Sequence, residues 1–194
     1  MKLKIILSIV AIVVVIIVIG VYLTLPRRVE VRTPEDLIIN VKQSFTLESP
    51  AFKYGENIPT KYSLEGESLS PPLTWRNAPA NTVSYVLVMY DPDAPRGIFY
   101  HWILYNIPST ITSLPEGVPG KGETSYGLQG VNDYGSIGYG GPYPPPGSKH
   151  RYIFLILALD TKLPLKPGAK IQEVLTACSG HVIAYAKLLG YYSR

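Results

Sequence analysis

Asp91-Pro92-Asp93-Ala94-Pro95-Arg96-Gly97-Ile98-Phe99-Tyr100-His101-Trp102 joins two strongly apolar runs, Tyr85–Tyr90 before it and Ile103–Ile107 after it. Both runs are short, rich in β-branched and aromatic residues, and bounded by proline and glycine, so they read as strands rather than buried helices. Apolar character on both faces places them centrally, covered from two sides. The connection carries two carboxylates and a histidine. Its prolines fix φ and remove backbone donors, so Asp91 and Asp93 hold one geometry. Binding groups concentrate on such loops when a rigid scaffold mounts them.

Working outward, His150 to Leu159 is a third run of the same kind, and Leu73-Thr74-Trp75 a shorter one. Val41 to Leu47 alternates apolar and polar residues, as a half-buried strand does. Residues 49–72 and 111–147 are loop-like, with many glycines and prolines. Only Ala169 to Ala186 reads as helical, with Gly180 expected to break it into two short helices. Lys187 to Tyr192 suits a closing strand. Short strands punctuated by turns predict a mainly β, antiparallel sandwich with short C-terminal helices.

The 194 residues allow one ordinary domain. Residues 1–4 form a short tail, and Ile5 to Leu25 is an apolar run interrupted by Ser8, Gly20, Tyr22 and Thr24. About 21 helical residues span roughly 30 Å, the thickness of a bilayer core. The run is too long for the apolar part of a cleavable signal, and Tyr22-Leu-Thr-Leu-Pro26 is a poor cleavage site. The reading is therefore one transmembrane helix over 5–25, a charged, proline-bearing juxtamembrane linker over 26–40, and the sandwich domain over 41–194. Lys2 and Lys4 oppose Arg27, Arg28 and Arg32 in setting orientation. Signal-anchor logic favours an extracytoplasmic domain on a single-pass membrane protein.

The formal charge of +4 falls to +2 without Lys2 and Lys4, and no basic block suggests a nucleic-acid partner. Cys178 is the single cysteine, so neither an internal disulfide nor a cysteine metal cage is available. No close pair of metal ligands and no G-x-S-x-G elbow appears, so no metal, no cofactor and no catalytic residue is expected.

The second informative stretch is Gly138-Tyr-Gly-Gly-Pro-Tyr-Pro-Pro-Pro-Gly-Ser-Lys-His-Arg-Tyr152. Glycines let backbone amides approach an anion, and the prolines keep the loop open, one X-Pro bond being a candidate for cis. Imidazoles donate to phosphate or carboxylate oxygens, and a carboxylate fixes which ring nitrogen carries the proton. Tyr139 and Tyr143 suit pocket walls. Structural roles compete: Asp91 and Asp93 also fit Asx turns, His101 a core position, and His150 a sheet cap. Arg151 alternates away from Tyr152 and reads as pairing on the opposite face. His181 reads as structural or solvent-facing.

Taken together, Asp-Pro-Asp-Ala-Pro followed by His-Trp, then Gly-Tyr-Gly-Gly-Pro, Pro-Pro-Gly and His-Arg-Tyr, resembles the phosphatidylethanolamine-binding protein family in its bacterial and archaeal branch. The resemblance covers roughly residues 41–194, including Asn106-Ile-Pro108 and Gly180-His-Val. It implies a Greek-key sandwich of two antiparallel sheets with a small anion pocket at one end. Asp91, His101, His150 and Tyr152 match pocket positions, Gly141 and Pro142 its rim, and Asp93 the second aspartate of the motif. Phe99 and Tyr100 stand where relatives often carry an aromatic residue or histidine. Tyr185 is a candidate for a tyrosine that animal members carry on a C-terminal helix.

The function expected is a non-catalytic, membrane-tethered binding module. Its ligand is a small anion: a phosphate monoester, a phospholipid headgroup or a carboxylate. In that pocket His101 and His150 donate hydrogen bonds, Asp91 orients an imidazole, Tyr152 closes the wall, and amides from Gly140 to Tyr143 complete the cradle. Because relatives include kinase modulators and serine-protease inhibitors, the alternative is a protein-docking inhibitor working through loops at 53–70 or 111–127, with a serine protease as partner.

Overall fold

The computed structural model describes residues 32–194; the run at 5–25 and the first part of the expected linker lie outside the described residues. Ten strands follow in chain order: β1 (Thr46–Glu48), β2 (Glu56–Asn57), β3 (Leu73–Arg76), β4 (Ser84–Asp91), β5 (Phe99–Pro108), β6 (Ser113–Leu114), β7 (Glu123–Thr124), β8 (Gly127–Gln129), β9 (Lys149–Leu159) and β10 (Val182–Ser193). The one α-helix among the described residues, α1, spans Ile171–Cys178. A three-stranded sheet of order β1-β3-β6 faces a seven-stranded sheet of order β2-β10-β9-β4-β5-β8-β7. The strand pairs are antiparallel, except that β2 runs parallel to β10.

Strand β9 is the spine, paired along its length with β10 on one side and with β4 on the other. Its alternation builds two cores, because successive side chains point to opposite faces. Tyr152, Phe154, Ile156 and Ala158 enter the core between the sheets, with Trp75, Leu87 and Trp102. Leu155, Leu157 and Leu159 enter a second core under α1, with Val88, Val174, Leu175 and Cys178. The double coverage explains why β4 and β9 read as continuous apolar runs.

Two sequence expectations change. Helix α1 ends at Cys178, and Val182–Ser193 forms a strand instead of a second helix. Gly180, at φ +81°, reverses the chain in a conformation glycine adopts without steric cost. Beyond it Ala184, Ala186, Leu188 and Tyr192 are buried at every second position, and the small alanines hid that period of two. The expected linker also differs: Pro34–Leu37 forms a 3₁₀ turn with Leu37 and Ile38 buried in the second core. The Tyr90 hydroxyl donates to Glu35, so the segment is held by a polar contact as well. No helix among the described residues is long and apolar enough to cross a membrane. No cis peptide bond occurs among them either, so none of the candidate X-Pro bonds there is cis.

Gln129 is fully buried and ties the loop before β7 to the sheet. Its Oε1 accepts the Trp102 indole N–H at 2.8 Å, and its Nε2 donates to the carbonyls of Pro119 and Lys121, each at 2.7 Å. A buried amide so fully partnered is costly to remove, because every partner loses its bond without regaining water. Gln129→Leu should destabilise the domain by about 3 kcal/mol. A lower urea midpoint with an unchanged slope would show it; an unchanged midpoint would refute the assignment.

Candidate functional site

Three strands of the large sheet end together. β4 delivers Asp91 as its last residue, β9 delivers His150 and Tyr152 near its start, and β5 delivers His101. His101 reaches the site through an irregularity. Met89 pairs with Trp102 but Tyr90 pairs with Tyr100, so His101 is an extra residue opposite β4. Such a bulge re-aims a side chain at the edge of a regular ladder. Counted by strict alternation from Trp102, His101 would share the outer face with Ile103; instead its ring centroid lies 5.2 Å from that of Tyr152.

The four side chains are almost inaccessible: Asp91 is 3% exposed, His101 2%, His150 7% and Tyr152 0%. They line a cleft of about 240 Å³ together with Phe99, Tyr134, Tyr143, Pro144, Pro145 and Arg194. Asp91 Oδ2 lies 2.7 Å from His150 Nδ1, and Asp91 Oδ1 accepts the Asp93 amide at 2.8 Å. With Nδ1 facing the carboxylate, Nε2 is the His150 nitrogen left for other partners. His101 Nδ1 donates to the Gly140 carbonyl at 2.8 Å. Burial pushes the His101 pKa down to about 4, against the opposing pull of the Gly140 carbonyl, Asp91 and the Gly141 carbonyl. Burial therefore holds this imidazole towards its neutral form near pH 7, with its Nδ1 proton given to Gly140. The Tyr152 hydroxyl is buried with no hydrogen-bond partner among the described residues, and burial raises its pKa. Burial likewise raises Tyr134, to about 12.

The structure thus brings together Asp91, His101, His150, Tyr152 and Tyr143, and sets three other expected residues apart from the cleft lining. Asp93 grips Arg151 in a two-pronged ion pair, 2.6 Å from Nη2 to Oδ1 and 2.9 Å from Nε to Oδ2, and also accepts the Arg151 amide. Gly141 is pressed against the chain at Tyr62–Leu64, where a Cβ would come within 2.6 Å of the Tyr62 carbonyl. Pro142 accepts the Leu64 amide through its carbonyl. The expected amide cradle is largely spent inside the fold: Gly140 N–H donates to the His101 carbonyl and Gly141 N–H to Ser68 Oγ. Tyr139 is partly buried against Trp102, and its hydroxyl donates to the Tyr62 carbonyl. Tyr185 lies in the middle of β10 beside the second core, away from the cleft. His181 pairs with Asp160 on the surface.

Sequence reasoning missed Tyr134 and Arg194. Tyr134 stacks edge-on against Phe99 and His101 and donates its hydroxyl to the Gly141 carbonyl at 3.1 Å. The Arg194 guanidinium lies 3.9 Å over the Tyr143 ring and 3.4 Å from Glu65. Only the β9–β10 register, with Ser193 opposite Lys149, brings Arg194 to the rim, and no local motif announces it.

Comparison with known proteins agrees on one lineage. The family model for phosphatidylethanolamine-binding protein matches residues 48–193. A UPF0098 protein of Methanothermobacter thermautotrophicus is 47% identical over 149 residues, 76% of this chain and 98% of that protein. One from Pyrococcus horikoshii is 48% identical over 150 residues, 75% of each chain. Among solved structures, a phosphatidylethanolamine-binding protein homologue from Chlamydia trachomatis superposes with a TM-score of 0.72 at 40% identity, covering 79% of this chain and 99% of that one. E. coli YbcL, a member of the mammalian PEBP family, also gives 0.72, at 34% identity over 78% of this chain and 99% of its own.

The buried imidazole has a consequence for stability. His101 titrates at its ordinary 6.5 in the unfolded chain and at about 4 when folded. Acidification through that window protonates only the unfolded chain at this position, so stability falls as the pH falls. The loss is about 2 kcal/mol between pH 7 and pH 5. Urea unfolding of His101→Phe should lack that portion of the pH slope; an unaltered slope would contradict the assignment.

Proposed function

The chain belongs to the phosphatidylethanolamine-binding protein family, and from that premise we propose a non-catalytic binding module whose end cleft takes one small oxyanion. A phosphate monoester, a phospholipid headgroup phosphate and a carboxylate all belong to this class. The observation that carries the reading is the convergence of His101, His150, Asp91 and Tyr152 from three strands on one cleft rimmed by Arg194. At about 240 Å³ the cleft is smaller than the 300–1,000 Å³ typical of drug-sized ligands, which favours a single compact group over a whole lipid. Arg194, rather than a set of backbone amides, is the permanent positive charge at its mouth.

Among the described residues, no serine, threonine or cysteine lines the cleft. The thiol of Cys178 is buried in the second core with its pKa pushed up to about 12. Both carboxylate oxygens of Asp91 are engaged. These facts favour binding over nucleophilic catalysis. The apolar run at 5–25 is read as holding the module at a membrane, with the domain on the extracytoplasmic side.

Titration of the full chain with phosphate, phosphoethanolamine and acetate, followed through the ring signals of His101 and His150 by NMR, tests the reading. Both rings should respond at millimolar ligand, and Arg194→Ala should weaken phosphate binding about 10-fold, the scale of one charge-assisted hydrogen bond. Silence of both rings at millimolar phosphate would sink it.

A further inference from the structure

We propose that the cleft selects oxyanions that retain a proton, phosphate or a phosphomonoester as the monoanion, bound with the P–O–H group donating to Nε2 of His101. The inference rests on the oxyanion reading and specifies its chemistry. It begins with a tautomer. The Gly140 carbonyl oxygen 2.8 Å from His101 Nδ1 can only accept, so Nδ1 carries the ring proton. In a neutral imidazole the other nitrogen is then a bare lone pair. Nε2 makes no hydrogen bond among the described residues, and the ring borders the cleft.

The groups facing this ring do not change its state. Asp91 comes from β4, His150 and Tyr152 from β9, Tyr134 and Tyr143 from the glycine- and proline-rich loops, and Arg194 from beyond β10. Asp91 alone among them favours protonating His101, and burial outweighs it. Its carboxylate is fixed by the Asp93 amide and by His150, so it stays in the cleft wall as a hydrogen-bond acceptor. The Gly140 and Gly141 carbonyls add further negative dipole on the same side.

A fully ionised tetrahedral anion entering this end of the cleft would set its oxygen lone pairs against the Nε2 lone pair and beside a carboxylate. An anion that keeps one O–H supplies the missing donor and places its remaining charge towards Arg194 and the Tyr152 hydroxyl. A site built to bond a hydroxyl discriminates strongly against an analogue that lacks one, since its own polar atoms are left unpaired.

The proposal separates charge from proton, and four ions test it on the full chain. Methyl phosphate and dimethyl phosphate both exist as monoanions at pH 5.5, but only the first has a P–O–H. Sulfate has the tetrahedral shape with no proton, and inorganic phosphate is the small reference. Calorimetric titration should find methyl phosphate and phosphate binding about 10-fold or more tightly than dimethyl phosphate and sulfate at pH 5.5. Methyl phosphate should also weaken about 10-fold or more at pH 7.5, because a phosphomonoester loses its second proton near pH 6. Dimethyl phosphate reports any general gain of positive charge at low pH, so the preference for methyl phosphate over it isolates the proton. Nitrogen-15 NMR of the imidazoles should show Nε2 of His101 unprotonated both free and in complex. Equal binding of sulfate or dimethyl phosphate, with the histidine rings responding, would overturn the proton requirement and leave the oxyanion site standing. No response to any of the four ions would overturn both.

Discussion

One inserted residue in β5 fixes what the end of the sandwich can be. The strand lies between β4 and β8, and its alternation must send Trp102 and Leu104 into the inner core and Ile103 and Tyr105 into the outer one. A regular ladder would carry His101 to the outer face. The bulge opposite Met89 and Tyr90 sets His101 on the same side as Trp102 and reverses the parity before it, so that Tyr100 lies in the outer core. A second irregularity at Asn106, with φ +54°, returns Ile107 to the inner core. Strand β5 therefore gives up ladder regularity twice, once to seat a site residue and once to keep its core register.

Around that ring the site is held from several independent directions. Asp91 closes β4 onto β9 through His150, while Asp93 closes the same turn through Arg151. The two aspartates, separated by one proline, thus act on opposite sides of β9. Gly141 reaches backbone contact with Tyr62–Leu64, and Arg194 bridges Tyr143 and Glu65. Asp91, His101, His150 and Tyr152 are buried, so this part of the cleft is built before any ligand arrives, which lowers the ordering cost of binding.

The parts of the fold legible in the sequence are those governed by local pattern. Strands β3, β4 and β9, and the core of β5, follow from apolar runs bounded by proline and glycine. The pairing of Arg151 away from Tyr152 follows from alternation alone. Lys187 to Tyr192 of β10 was legible as a closing strand, but the start of β10 was not, because Ala184 and Ala186 satisfy a helical stripe as well as a strand face and only pairing with β9 decides. The site was legible as two motifs, but their physics was not. Whether Gly140 and Gly141 offer amides to a ligand depends on partners at His101 and Ser68, one of them more than 70 positions away. The ring nitrogen that carries the His101 proton depends on a carbonyl 39 positions along the chain. Arg194 enters only through strand register. Long-range pairing, not residue type, decides each of these.

The docked turn at Pro34–Leu37 changes where the folding unit begins. Leu37 and Ile38 sit on the outer face of the large sheet, against the layer that includes Val88 and Tyr90, yet they precede the segment shared with the family model. Part of this sheet is therefore shielded by residues that lie before the segment matched by the family model. A fragment begun at the lineage boundary would leave that apolar surface bare, and such surfaces find company in one another. The upstream segment is therefore a cover for the outer sheet and not a spacer.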